Sequence, residues 1–260
     1  RTLQGGSETI TTGGGDDIVI AGLGNDIVHA SNGTNIVLGD EGGITYQTGT
    51  DLRYRITSRY LNWTGYAAVD ATDAQAGNDR ISAGTGSDVL IGGLGTETIM
   101  AGDGDNIVFG DEGFILYQDQ RDTANASVLD EVSGLLLEPA ERLVQGGNER
   151  IRTGVGADIV IAGLGDDTIN ASDGDNIVFG DDGAITYQLT TGLRDRIESR
   201  YLNGSGNSPV RAVEAAVGDD VITTGIGSDV AIGGLGNETI DVSDGANIVI
   251  GDEGKIHYQN

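Results

Sequence analysis

The stretch GSDVLIGGLGTETIMAGDGDNIVFGDEG, residues 86–113, places glycine at 86, 95, 104 and 113, each nine residues after the last, with one aliphatic centred in each interval: Leu90, Ile99 and Val108. Two residues before each aliphatic stands an acid or an amide, Asp88, Glu97 and Asn106. Three residues around an aliphatic make a short strand, and the glycines supply the positive φ that other residues adopt only at a cost. The chain therefore alternates turn and short strand. Two nine-residue units per coil build a parallel solenoid, with units one and three of a block in one sheet, units two and four in the other, and the aliphatics filling a thin core.

The same ladder runs from Gly6 to Gly42, Gly77 to Gly113, Gly147 to Gly183 and Gly218 to Gly254. A longer period overlies it: RTLQGG at Arg1 returns as RLVQGG at Arg142, and LRYRITSRYLN at Leu52 as LRDRIESRYLN at Leu193, an offset of 141 residues. This divides the chain into blocks at 1–47, 76–118, 146–188 and 217–260, joined by segments 48–75, 119–145 and 189–216. Near-equal spacing and a shared apolar core favour one continuous solenoid of two 141-residue repeats over four abutting rolls, and the truncated second repeat reads as a piece of a longer tandem array.

Composition narrows the chemistry. Of 260 residues 45 are glycine and two proline, and 41 acids face 14 bases for a formal charge of −27. The 37% apolar content is too high for a disordered acidic tail, so something must neutralise the charge as the chain compacts. There is no cysteine, and two histidines, His29 and His257, leave catalysis little to build on, so the chain reads as a non-enzyme. So acidic a surface repels nucleic acid and anionic lipid, and no apolar run is long enough for a membrane span. The partner implied by charge is a cation.

The register says where it would sit. Residues 18 apart stack one coil above another, pairing Glu8 with Asp26, Asp17 with Asn35, Asp79 with Glu97, Asp88 with Asn106, Glu149 with Asp167, Asp158 with Asn176, Asp220 with Glu238 and Asp229 with Asn247. Carboxylates converging with the free carbonyls of glycine turns form an all-oxygen cage, which favours Ca2+ over Mg2+, with about two sites per block and on the order of eight in all. A metal-free solenoid with solvated acids is the alternative, opposed by the repulsion of stacked carboxylates.

GGLGTETIM from Gly92 and AGLGDDTIN from Ala162 resemble the glycine-glycine-x-glycine-x-aspartate-x-aliphatic-x nonapeptide of RTX, or hemolysin-type, calcium-binding repeat proteins. The resemblance covers a little over half of the chain. It implies an all-β, right-handed parallel β-roll with calcium in the turns, and an extracellular or bacterial cell-surface protein, usually type I secreted, that folds when it meets calcium. The chain departs from the pattern with asparagine at Asn35, Asn106, Asn176 and Asn247, with glutamate at Glu8, Glu97, Glu149 and Glu238, and with an added Gly-Asp-acid-Gly turn at Asp40, Asp111, Asp181 and Asp252 that either caps the last coil or adds a ligand.

Residues flanking the aliphatics sort by unit. In units two and four they are apolar, as at Ile18, Ile20, Ile36, Leu38, Ile107 and Phe109; in units one and three they are mainly polar, as at Thr9, Thr11, Arg80 and Ser82. One sheet therefore faces water and the other needs cover. The linking segments supply it: LRYRITSRY and its repeat read as strands or hairpins carrying Leu52, Tyr54, Ile56, Tyr60, Leu61 and Trp63, and ASVLDEVSGLLLEPAERL from Ala126 as a short helix ending before Pro139. The runner-up is a partner surface, including self-association of neighbouring repeats. Thirteen arginines, many in these links, are expected to pair with repeat acids. The function expected is a calcium-binding structural module, an extender or adhesin-like scaffold; the alternative is the RTX portion of a secreted enzyme or toxin whose catalytic part lies elsewhere. An ice-binding solenoid is disfavoured, because Thr9, Thr11, Thr12, Thr223 and Thr224 do not repeat through the coils between.

Overall fold

The computed structural model describes residues 5–49, 51–58, 77–117, 128–134, 147–188, 191–199 and 218–259. They form two parallel eight-stranded sheets and one antiparallel seven-stranded sheet. The first parallel sheet takes units one and three of every block, running Thr9–Thr11, Ile27–His29, Arg80–Ser82, Thr98–Gly102, Arg150–Thr153, Thr168–Ala171, Val221–Thr224 and Thr239–Asp241. The second takes units two and four, from Ile18–Ile20 and Ile36–Leu38 through to Val230–Ile232 and Ile248–Ile250. Coils stack in the 18-residue register, Val19 opposite Val37 and Ile10 opposite Val28. They continue across every link: Val28 pairs with Ile81, Val108 with Val160 and Val178 with Ala231. Among the described residues no helix is long and apolar enough to cross a membrane.

Each coil sends one aliphatic from each sheet into a single core containing Val28, Val37, Ile81, Leu90, Val108, Ile151, Val178 and Ile222, all fully or almost fully buried. Glycine makes the tight coil possible. At Gly95, with φ of +139°, a β-carbon would strike the Gly77 carbonyl of the preceding coil, so the turn admits no side chain there.

The third sheet covers the apolar outer face of the second. Its strands, in spatial order, are Lys255–His257, Arg194–Ser199, Gly183–Tyr187, Leu129–Gly134, Gly113–Tyr117, Arg53–Ser58 and Gly42–Tyr46. One apolar residue per strand forms an unbroken cross-strand row: Ile44, Ile56, Ile115, Val132, Ile185, Ile197 and Ile256. This row packs on Ile36, Leu38, Ile91, Phe109, Ile161, Phe179 and Ile232 in a second core. The sequence-predicted cover is therefore present. The predicted helix is not: Leu129–Gly134 is a strand, and residues 126, 127 and 135–143 of that segment lie outside the described residues, as do Tyr60, Leu61 and Trp63. Val132 has Ile115 on one side and Ile185 on the other, and partners on both edges outweigh the weak helical spacing of a short segment.

Gly113 and Gly183 lie flat against Phe109 and Phe179, whose rings occupy the space where a β-carbon would stand. Both phenylalanines are about 1% exposed. Phe109→Ala is expected to cost about 3–5 kcal/mol, read from urea denaturation in saturating calcium; a loss below about 1 kcal/mol would show that the two layers are not packed as described.

Candidate metal centres

Two edges join the parallel sheets, and each carries one sixth-position residue per coil. The edge leading from the second sheet to the first bears Glu8, Asp26, Asp79, Glu97, Glu149, Asp167, Asp220 and Glu238; the opposite edge bears Asp17, Asn35, Asp88, Asn106, Asp158, Asn176, Asp229 and Asn247. All sixteen sequence-predicted positions thus fall on these two ladders, and every expected pair is adjacent. The pairs also continue across the links, which sequence spacing alone hid. The Asp26 amide donates to Asp79 Oδ1 at 2.8 Å, and the Asp167 amide to Asp220 Oδ1 at 2.9 Å.

The aspartates share one habit. One carboxylate oxygen accepts the backbone N–H of the coil before, as Asp26 does from Glu8 at 2.6 Å and Asp88 does from Asn35 at 2.7 Å. The other oxygen is buried without a donor at Asp26, Asp79, Asp88, Asp158, Asp167 and Asp220, as is Oδ2 of Asp17 in the first coil, whereas Asp229 Oδ2 accepts from the Thr224 hydroxyl. The glutamates carry the same deficit further: both oxygens of Glu97 and of Glu149 are buried and unpaired, as is Oε1 of Glu238. A buried carboxylate without a donor or counter-charge is costly. The ion pairs given by the described residues, Arg196 and Lys255 with Glu198 and His257 with Asp195, involve none of the sixth-position acids. Arg80 and Arg150 sit on exposed strand positions of the first sheet.

Burial accordingly raises these carboxyls, to about 7 at Asp79 and Asp220 and to about 9 at Glu97. Burial, reinforced by neighbouring carboxylates, also holds Glu149 and Asp167 far above the ordinary range. At the turn formed by Gly180, Asp220 Oδ2 and the Gly233 carbonyl converge on one point, which a β-carbon would fill. Orphaned carboxylate oxygens beside turn carbonyls are the donor set of a hard divalent cation, and they fit calcium.

The asparagine edge differs. Asn106 Nδ2 donates to the Gly102 carbonyl at 3.1 Å, the Gly104 carbonyl at 2.8 Å and Asp158 Oδ1 at 3.0 Å. Asn35 repeats the pattern on Ser31, Gly33 and Asp88, and Asn176 bonds the Ser172 and Gly174 carbonyls. The side-chain amide stands among the turn oxygens as a cation would. Asn106→Asp replaces that donor with a second carboxylate. It is expected to add one calcium per chain in calorimetric titration. An unchanged count in a variant that folds in calcium would refute this role for the amide.

The Gly-Asp-acid-Gly aspartates, left open between cap and ligand by sequence alone, reach the acid edge. Asp40 Oδ2 accepts from the Leu94 amide at 2.7 Å, Asp111 Oδ2 from Leu164 at 2.7 Å and Asp181 Oδ2 from Leu235 at 2.6 Å. In each case Oδ1 stays buried without a donor.

A family model for the RTX calcium-binding nonapeptide repeat (4 copies) matches residues 4–42, 73–108, 91–113, 152–184, 214–249 and 232–255. No curated protein and no solved structure gave a match. The matched segments take in more than half of the chain and include every residue of the two turn ladders except Glu149. With its nine-residue register, two-sheet coil and oxygen-lined turns, the chain belongs to the RTX calcium-binding nonapeptide repeat family.

Proposed function

We propose that this chain is a calcium-loaded scaffold of a secreted or cell-surface protein, an extender or adhesin-like array that becomes a stiff roll only where calcium is plentiful. The observation that supports it best is the unbroken acid edge, on which Glu8, Asp26, Asp79, Glu97, Glu149, Asp167, Asp220 and Glu238 would hold calcium, most of them through oxygens that have no other partner. Bound calcium supplies the positive charge that lets these carboxylates stay ionised inside the fold. The chain's own part is to set the spacing: one aspartate oxygen is tied to the neighbouring coil, and the other is left for the ion. On the opposite edge the asparagine amides take up turn oxygens, so cations would load chiefly along one side. The extender role is supported by coils that stay in one parallel register across all three links. Calorimetric titration of the calcium-stripped chain with CaCl2, with MgCl2 as control, should record uptake of several calcium ions per chain and little magnesium. Uptake of less than one calcium per chain would overturn the reading.

A further inference from the structure

Three times the chain leaves the roll in the middle of an acid-edge turn, enters the third sheet, and returns to finish the turn. Gly39 and Asp40 begin one such turn and Gly77 to Asp79 complete it; Gly110 and Asp111 are completed by Gly147 to Glu149, and Gly180 and Asp181 by Gly218 to Asp220. Uninterrupted turns on this edge carry glycine at the second position, as at Gly22, Gly93, Gly163 and Gly234. The split turns carry aspartate there instead. At the central split, ligand oxygens of Glu97, Asp111 and Glu149 all lie within 4.8 Å of one another. Glu97 and Glu149 are each 1% exposed with both oxygens lacking a donor, and Asp111 is 8% exposed with Oδ1 likewise unpaired. Three carboxylates this close and this buried cannot all be ionised without a counter-charge, and oxygen ligands alone select a hard cation.

We propose that each split turn is a calcium site of its own, completed by the second-position aspartate, in which the ion joins the two halves of the turn and so fastens the third-sheet excursion to the roll; at the central split its ligands are Glu97, Asp111 and Glu149. At the outer splits the sixth-position carboxylate likewise closes on the first half of the turn: Asp79 Oδ2 lies against Gly39, next to Asp40, and Asp220 Oδ2 against Gly180, next to Asp181. Asp111 serves both coils at once, because Oδ2 caps the Leu164 amide in the next coil while Oδ1 remains for the ion. The site thereby ties residues 111 and 149, which the excursion separates along the chain.

This inference rests on the calcium-loaded reading above and is tested separately from it. Asp111→Asn and Glu97→Gln keep the side-chain shape, and Asp111→Asn keeps an acceptor for Leu164. Titrated with CaCl2, each variant is expected to bind one calcium fewer per chain than the parent. Hydrogen exchange in Gly113–Tyr117 and Leu129–Gly134 should quicken at least tenfold in saturating calcium, while Ile159–Ile161 stays protected. Amide replacement relieves repulsion in the calcium-free chain, so the variants should fold wherever the parent does; if one does not, the other carries the test. An unchanged calcium count in folded Asp111→Asn overturns this inference alone, an unchanged count in folded Glu97→Gln overturns it and removes Glu97 from the acid-edge ligands too, and a parent chain that binds no calcium overturns the proposed function as well.

Discussion

Stripping calcium from the chain is expected to abolish its β-structure, and restoring calcium to return it. The acid edge stacks eight acids at the spacing of neighbouring parallel strands, about 4.8 Å. At an effective dielectric near 20 two ionised neighbours repel by roughly 3–4 kcal/mol, and the ion pairs given by the described residues involve none of these acids. A formal charge of −27 adds a general self-repulsion. Against this stands a core one aliphatic thick, which gains about 1.5–3 kcal/mol per buried side chain before chain entropy is subtracted. Each calcium held at a hundred times its dissociation constant adds about 2.7 kcal/mol. Four such ions move the midpoint by on the order of 20–40 °C for a chain of this size. The checks are far-ultraviolet circular dichroism and thermal melting in excess chelator and in calcium. A full β-signal and unchanged melting in chelator would leave a metal-independent solenoid and remove the acid edge as the origin of stability.

Much of this architecture could be read in the glycine ladder because a nine-residue period constrains backbone and side chain together. Gly95 admits no β-carbon, Ile99 must point inward, and Glu97 must then lie at the turn. The polarity of residues flanking the aliphatics likewise marked which sheet would be covered. What escaped was anything that depends on how separate blocks meet. The contact between Asp26 and Asp79 spans 53 residues, a distance set by the length of an excursion and not by the repeat. The same holds for the strand at Leu129–Gly134: its short segment has no strong period of its own, and its conformation is fixed by the strands it lies between. The role of the asparagines was visible only as a departure from the aspartate pattern. That their amides would stand among turn carbonyls required the folded turn. The second-position aspartates were legible as an anomaly for the same reason, and only the split turn shows which acids they join.

The sign of the chain's pH response should reverse with calcium. Burial lifts Asp79 and Asp220 to about 7, Asp40 to about 8, and Glu97 and Asp181 to about 9, from ordinary values of 3.8 for aspartate and 4.5 for glutamate. Below the ordinary values the folded and unfolded chains both hold these protons, and the fold keeps its full stability. Above them the unfolded chain ionises while the calcium-free fold retains its protons, so the native state binds more protons and stability falls as pH rises, until the raised values are passed. Each such proton is worth about 1.4 kcal/mol per pH unit. A calcium-free chain should therefore gain β-signal when taken from pH 8 to pH 5. At a calcium level that half-saturates folding at pH 7 the same change should remove β-signal, because protons and calcium compete for the same ionised oxygens. Circular dichroism across this range, with and without the ion, decides the matter. Opposite slopes require the buried carboxylates themselves to be where calcium binds. Parallel slopes would mean that calcium acts elsewhere on the chain and that the acid edge is kept neutral by protonation alone.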